Sequence, residues 1–353
     1  MFGDEGIYGG GERYALELAR ALSRRVDCRL VTFGARASRS RVAGLEVVVL
    51  RRRFALGGHP AHPVGSGLLS SLVYGELLHV HHMRSLPGLA AATLMKLRGA
   101  PTVATDHGLG RGSTGLSLKP YDAFLTVSQY SARKIGAPPE RTVPIYGGVD
   151  PKRFCPSDAG RSGVLYVGRV TPHKGIDRLI RALPAGTCLT VAGTKGHDPR
   201  EPERSYGRLL RSLAAGHEVT FLGRVSDDEL VDLYRRAQVV ALPTVEKTCF
   251  GRRVDIPELL GLSVLEAMSC GTPVVCSGVG GLPEVVVDGD TGFLVEPGNV
   301  NELRDRLQTL VSDRSLARRM GAAAREVVVE RFTWDECAER CLAAYEELLS
   351  SAA

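Results

Sequence analysis

Residues 256–275 read IPELLGLSVLEAMSCGTPVV, and how this stretch folds decides the architecture. Leu262, Leu265, Ala267, Met268 and Cys270 supply a mostly apolar helix, and Pro257 suits its first turn. Gly271, Thr272 and Pro273 stop that helix, and Val274–Cys276 follow as a short buried strand. Glu258 and Glu266 stand eight positions apart. At about 3.6 residues per turn that spacing places them roughly on one side of the helix. Glu258 sits at the mouth, where backbone N–H groups lack intrahelical partners, and Glu266 lies inside the first turns. Such an arrangement can hold an anion on N–H groups and grip hydroxyls with carboxylates. A phosphorylated sugar presents both kinds of group. The spacing alone also suits an ordinary amphipathic helix with two exposed glutamates, so the neighbours must decide.

Upstream of this stretch, Thr244–Ile256 form a polar insert, TVEKTCFGRRVDI. Earlier still, strand Val164–Val167 leads into GRVTPHKG at 168–175 and a helix from Ile176 to Leu183. Gly168 permits a tight turn, after which Arg169 and Lys174 can face one crevice. Two cations at a strand-to-helix turn suit a diphosphate, arginine through its fork and lysine as a point charge. Further strands are expected at Cys188–Ala192, Val219–Leu222 and Val239–Leu242, with Ser226–Glu229 as a capping box. Downstream, Gly278, Gly280, Gly281, Pro283 and Glu284 make a second glycine-rich turn, and Asp288–Gly292 the next, before strand Phe293–Val295. Asn299 with Glu302, and Thr333 with Glu336, cap two more helices, the last running to about Leu349.

The first half repeats the alternation. Gly9, Gly10, Gly11 and Glu12 precede a helical pattern from Arg13 to Val26, with Tyr14, Leu18, Ala21 and Leu22 on one face. A glycine-rich turn feeding a helix lets backbone N–H groups approach a phosphate or sugar. A buried strand should precede such a turn, and none is legible here. The expectation is that the chain starts late relative to its relatives, or that its true start lies upstream. Apolar runs at Arg29–Phe33, Leu45–Leu50, Leu77–His81, Thr102–Thr105 and Ala123–Val127 read as short strands between helices, the pattern of a doubly wound parallel sheet. Gly57–His62 and Gly108–Gly115 read as loops that could form or cover an acceptor pocket. His79, His81 and His82 read as packing and capping groups at a strand end rather than metal ligands. His107 follows strand Thr102–Thr105, at the carboxyl end where ligands bind in open α/β sheets. Gly147–Asp150 turn out of this region, and the polar Ser157–Gly163 read as a linker. The division expected is 1–156, 157–332, and a closing helix over 333–353 that packs back on the first domain.

The composition bounds the function. With 353 residues, 44% hydrophobic and 24% charged, the chain suits two globular domains. No run of about 18 apolar residues spans a membrane, and the opening Met1–Glu5 is unlike a signal peptide. The eight cysteines show no CxxC pair or zinc-knuckle spacing, which points to reduced thiols, no metal site and a cytoplasmic protein. The net charge of +6 is uneven: residues 1–156 carry 21 Lys+Arg against 11 Asp+Glu, and the remainder 24 against 28. Arg24–Arg25 and Arg51–Arg53 lack interleaved aromatics, which argues against nucleic acid. A solvated basic face fits them, as does peripheral contact with an anionic membrane. Nothing in the residues specifies an oligomeric state.

Gly168-Arg169…Lys174-Gly175, Glu258-x7-Glu266 with AMSCGTPVV, and GGLPEVVVDGDTGFLV at 280–295 together resemble glycosyltransferase family 4, a likeness spanning nearly all of the chain and densest in its second half. The resemblance implies the GT-B fold, two facing Rossmann-like doubly wound domains with a cleft between them. It also implies a nucleotide-sugar donor, transfer with retention of anomeric configuration, and no cofactor. By the same resemblance, Arg169 and Lys174 clamp the donor diphosphate, Glu258 holds the transferred sugar and Glu266 the ribose. The N–H groups near Gly261, Leu262 and Ser263 receive the distal phosphate. Gly10 and Gly11 approach the donor, Glu12 falls to the acceptor, and His107 lies near the reacting face of the sugar. The insert with PELLGLSVLEAM is similar to the branch acting on small aminocyclitol or aminoglycoside acceptors in antibiotic biosynthesis, commonly with UDP-N-acetylglucosamine. The competing readings are a membrane-surface transferase for glycolipid or cell-envelope polysaccharide, an epimerase or phosphorylase on the same scaffold, and a non-catalytic sugar-nucleotide binder. A phosphorylase would show the absorbance of a lysine-bound pyridoxal.

Overall fold

The computed structural model describes residues 9–58, 62–72, 75–108, 118–194 and 203–352. The chain divides into two compact units, Met1–Gly147 with Trp334–Ala353, and Gly148–Thr333.

In the first unit, α1 (Gly10–Leu22) starts three residues ahead of the periodicity that suggested Arg13. The extended Gly9 offers its carbonyl to the Arg13 N–H at 3.1 Å, so Gly10 and Gly11 form the first helical turn rather than a loop before it. The helix also stops short of Val26, which is solvent-exposed. Three strands follow: β1 (Arg29–Gly34), β2 (Ser38–Val42) and β3 (Leu45–Ala55). β3 pairs parallel with β1 and antiparallel with β2. The β2–β3 connection is the two-residue turn Ala43-Gly44, both at positive φ, the conformation that matches strand twist in a hairpin. Leu45 and Val47 face Ala19 of α1 in the core. β4 (Pro63–Gly65) adds antiparallel to the end of β3, and α2 (Leu68–Ser71) follows.

A second sheet of this unit is fully parallel, in the order β5-β6-β7-β8. Its strands are β5 (Leu78–His81), β6 (Thr102–Thr105), β7 (Ala123–Thr126) and β8 (Thr142–Pro144), with α3 (Leu86–Leu97) and α4 (Gln129–Ile135) between them. Val80, Met83, Ala104, Tyr121 and Phe124 build its core. Tyr121 donates to the Met83 carbonyl at 2.8 Å, which satisfies a hydroxyl that burial would otherwise penalise. The single parallel sheet read from the sequence is thus two sheets, one with antiparallel members, and no pairing joins β1 to β5 among the described residues. The stretch before the Gly9–Gly11 turn, where a buried strand is expected and none is legible, lies outside the described residues, as do residues 59–61 of the Gly57–His62 loop and most of the Gly108–Gly115 loop.

The second unit carries one six-stranded parallel sheet: β9 (Ser162–Val167), β10 (Leu189–Ala192), β11 (Val219–Gly223), β12 (Ala237–Leu242), β13 (Val274–Ser277) and β14 (Gly292–Val295). The order β11-β10-β9-β12-β13-β14 is that of a dinucleotide-binding sheet, and it reverses direction between β9 and β12. Helices α5 (Ile176–Ala182), α6 (Tyr206–Ala214), α7 (Asp227–Arg236), α8 (Leu262–Ser269), α9 (Val300–Ser312) and α10 (Arg314–Arg331) complete it. The Ser226–Glu229 capping box closes in both directions, the Ser226 Oγ accepting from the Glu229 N–H and the Glu229 carboxylate from the Ser226 N–H. Ser162 already belongs to β9, so the polar Ser157–Gly163 segment ends inside a strand.

The last helix, α11 (Trp334–Ala352), belongs to the first unit and packs on α1. Trp334 meets the edge of Tyr14 at 5.2 Å between centroids, and Cys337 and Cys341 are fully buried. Arg25 pairs with Glu339 at 2.8 Å at the rim. All eight cysteines are free thiols. No helix among the described residues is long and apolar enough to cross a membrane.

Candidate functional site

In the second unit the candidate residues gather where the strand order reverses, past the carboxyl ends of β9 and β12, the place where open α/β sheets bind ligands. The chain leaves β9 through Gly168 and Arg169, then makes a short turn at Pro172–Lys174 before α5. Arg169 is exposed, and its carbonyl accepts from the Tyr166 hydroxyl at 2.8 Å. Lys174 is only 9% exposed. Its Nζ donates to Glu258 Oε2 at 2.6 Å, across 84 residues of chain. The other carboxylate oxygen of Glu258 accepts from the Leu259 N–H at 3.2 Å. Burial, and after it the charge of this carboxylate, raises the Tyr166 hydroxyl and the Cys276 thiol far above their ordinary values.

The helix expected from Pro257 begins instead at Leu262. Gly261, at φ +94° and ψ +60°, is left-handed, a conformation that cannot continue into a helical turn, and so it becomes the N-cap. Residues 256–261 are therefore irregular. Glu258 lies outside the helix and Glu266 in its second turn, so the two do not share a helix side as their spacing suggested. Gly280 (φ +63°) holds Glu258 in place from behind: a Cβ there would collide with the Glu258 carbonyl, which accepts from the Gly281 N–H at 3.3 Å. The first bonds within α8 run from Val264 and Leu265 to the Gly261 carbonyl. The N–H groups of Leu262 and Ser263 stand outside that pattern, and no acidic side chain occupies the first turn. This helix end thus presents uncompensated partial positive charge. Glu266 is buried, and its Oε2 accepts from the hydroxyl of Tyr234 on α7 at 2.8 Å.

The polar insert is a small hairpin. Lys247 bridges Arg253, the Thr248 N–H donates to the Arg252 carbonyl at 2.9 Å, and the Val254 N–H to that of Glu246 at 2.8 Å. It is tied to the Lys174 turn through the Val245 N–H on the His173 carbonyl at 2.8 Å. Arg178 of α5, bonded to Asp177 at 2.7 Å and to the Lys247 carbonyl, joins the insert around a cavity of about 520 Å³.

In the first unit, Gly11 and His107 come together. A Cβ on Gly11 would stand 3.0 Å from the Cβ of His107, so a larger residue here would have to push the two apart. Gly10 and Glu12 flank it in the same first turn. Tyr14 lays its ring 4.9 Å from that of His107. His107 Nε2 lies 3.0 Å from His81 Nδ1, and His79 reaches Thr105 Oγ1 and the Tyr345 hydroxyl at 2.8 and 2.7 Å. Desolvation lowers all four ring pKa values, to about 3 at His79 and about 4 at His82, and well below the ordinary value at His81 and His107. These imidazoles are neutral at pH 7. The bonds that Tyr234 makes to Glu266 and His81 to His107 were not legible in the sequence. Tyr234 carried only a helical apolar signal, and His81 needed the β5–β6 register that sets it opposite Thr105.

Comparison with known proteins accounts for both units. Residues 8–153 match Glycosyltransferase Family 4, and residues 154–327 match Glycosyl transferases group 1. The D-inositol 3-phosphate glycosyltransferase of Streptomyces bingchenggensis is 32% identical over 240 residues, 62% of this chain and 50% of that protein. The GDP-mannose-dependent alpha-(1-6)-phosphatidylinositol monomannoside mannosyltransferase of Mycobacterium tuberculosis is 34% identical over 211 residues, 55% of this chain and 52% of that one. The chain spans about half the length of these curated relatives. Among solved structures, sucrose-phosphate synthase of Thermosynechococcus elongatus shares the fold at a TM-score of 0.74 and 22% identity, covering 99% of this chain and 96% of that one. HepE of Anabaena, in complex with UDP and glucose, shares it at 0.71 and 20%, covering 97% and 96%. With its two halves matched in order and its parallel-sheet Rossmann-like units in place, the chain belongs to glycosyltransferase family 4 and has the GT-B fold.

Proposed function

We propose that the protein is a retaining glycosyltransferase. It moves a hexose or N-acetylhexosamine from a nucleoside-diphosphate sugar, UDP-N-acetylglucosamine foremost, to a hydroxyl of a small cyclitol or aminocyclitol. The observation that carries the reading is the Lys174–Glu258 pair past the carboxyl ends of β9 and β12, with the N-terminus of α8 following Glu258 four residues on. Lys174 and the exposed Arg169 bind the diphosphate, the Leu262 and Ser263 N–H groups take its distal phosphate, Glu258 takes sugar hydroxyls, and Glu266, oriented by Tyr234, takes the ribose. Lys174 has three N–H donors, so it can keep Glu258 while gaining a phosphate oxygen.

In the transfer, the bond from the anomeric carbon to the diphosphate oxygen breaks as the acceptor hydroxyl enters on the same face. The departing phosphate oxygen takes the hydroxyl proton, and the cations and helix end stabilise the charge that develops on it. His107, neutral, offers one hydrogen bond without adding charge. The cyclitol acceptor is supported by the Streptomyces relative, whose name places an inositol phosphate in its reaction. A lipid acceptor is the second reading. It is favoured by the phosphatidylinositol monomannoside of the Mycobacterium relative and by the exposed Arg51–Arg53 with Phe54, 55% exposed, at the end of β3.

Nucleotide release measured over UDP-, GDP- and ADP-sugars against inositol 3-phosphate, 2-deoxystreptamine and phosphatidylinositol vesicles tests this. The reading expects acceptor-dependent release with a UDP-sugar and a soluble cyclitol, and a product that keeps the donor's anomeric configuration. Release with vesicles alone replaces it by the second reading, and acceptor-independent turnover defeats both.

A further inference from the structure

His107 is held from several sides, and one of its partners has no assigned role. β5 and β6 run parallel in the register His79↔Val103 and His81↔Thr105, which brings the β5 histidines alongside the chain that carries His107. The His82 N–H donates to the Thr105 carbonyl at 2.9 Å and locks the strand ends together. His81 and His107 lie with ring planes 16° apart and centroids at 5.3 Å, so the 3.0 Å separation of Nδ1 and Nε2 falls close to the ring planes, the geometry of an N–H···N hydrogen bond. His79 stacks on His81 at 4.4 Å, and both its nitrogens are engaged, by Thr105 and by Tyr345 of α11. On its other sides His107 meets Gly11, the Tyr14 ring and the edge of His82 at 5.2 Å.

We propose that His81 is a positioning residue for His107: it occupies Nε2, fixes the ring, and leaves Nδ1 as the nitrogen that serves the substrate. The proposal rests on the role given to His107 above. Two neutral imidazoles joined by one hydrogen bond share a single N–H between Nδ1 of His81 and Nε2 of His107. Whichever ring donates it, the Nε2 of His107 is used up. His79, held by Thr105 and Tyr345, acts as the backstop that keeps His81 from turning. Partners that orient metal-ligating histidines change affinity or activity by about 10–100-fold when removed, and an effect of the same order is expected for a histidine oriented towards a substrate.

The test combines a spectrum with kinetics. In wild-type protein labelled with 15N-histidine, long-range proton–nitrogen correlation at pH 7 is expected to show His107 neutral, with a coupling across the hydrogen bond from its Nε2 to His81 Nδ1. A missing coupling, or a doubly protonated His107, overturns the proposal without any variant. In nucleotide release, His81→Phe is expected to lower kcat by about 10–100-fold with the donor KM held within about twofold, and His81→Asn, which keeps a hydrogen-bonding group, to recover at least about half of that loss on a logarithmic scale. If His107→Ala loses kcat while His81→Phe keeps it, the positioning role fails and the proposed function stands. If His107→Ala turns over like wild type, the role of His107 fails, and this proposal with it.

Discussion

Deleting one member of the Lys174–Glu258 pair separates what the pair does for the fold from what it does for the donor. In Glu258→Ala the ammonium of Lys174 keeps its burial and loses its 2.6 Å carboxylate. Breaking a buried pair this way costs about 3–5 kcal/mol. The two side chains retain 11% and 15% of their exposure, which favours the low end, about 3 kcal/mol. For a unit of this size that lowers the midpoint by about 6–12 °C in calorimetry of the full chain, at about 2–4 °C per kcal/mol. Replacing both residues by apolar ones, Lys174→Met with Glu258→Leu, removes the stranded charge and should return the midpoint to within a few degrees of wild type. Transfer should behave differently. Glu258→Ala lacks the carboxylate that takes the sugar hydroxyls and should lose kcat for that reason, and the double variant also lacks the Lys174 charge on the departing diphosphate, a loss of about 100–1,000-fold in kcat. A double variant as unstable as Glu258→Ala would refute the account of the pair as a charge-compensating unit.

Other outcomes follow from the same geometry. Tyr234→Phe removes the hydroxyl that donates to buried Glu266 and should cost about 1–3 kcal/mol in urea unfolding, with a raised donor KM; an unchanged KM would remove Glu266 from the donor site. Gly280→Ala forces a Cβ onto the Glu258 carbonyl and should lower both stability and kcat, whereas Gly289→Ala, at a positive φ with open space around it, should lower stability alone. The histidine cluster makes the first unit sensitive to acid. His79 and His82 have folded pKa values of about 3 and 4, below the ordinary 6.5, so the folded state stays neutral while the unfolded state takes up protons. Stability is therefore full above about pH 6.5 and falls by about 1.4 kcal/mol per pH unit for each such histidine as pH drops toward the folded values. Urea midpoints that stay flat from pH 7 to pH 5 would contradict this.

Much of the second unit was legible because its central strands are buried on both faces and read as continuous apolar runs, Val164–Val167, Val239–Leu242 and Val274–Cys276 among them. The capping box at Ser226 was legible for the same local reason, residue types at fixed offsets. The helix start was misread because Pro257 and the leucines fit a first turn, while the left-handed Gly261 that cancels it sits where a Cβ would collide with Leu282, a tertiary feature. β2 was invisible: SRSRV is exposed along its whole length and shows no apolar alternation. Lys174 and Glu258 could each be singled out from their own motifs, yet their ion pair joins segments 84 residues apart and needed the strand order to appear. The histidines were read one by one as packing groups or a ligand-side residue. Their mutual bonding follows from parallel register, which no single strand specifies.

The central claim, that the reversal point beside Lys174 holds a nucleoside-diphosphate sugar, is tested most directly by titration calorimetry of wild type and of the Lys174→Met/Glu258→Leu variant against UDP-, GDP- and ADP-sugars. The account predicts one-to-one binding of a UDP-sugar by wild type, weakened by at least about 100-fold in the equally stable variant. Equal affinity in the two proteins, or no binding of any nucleotide sugar by wild type, would contradict it.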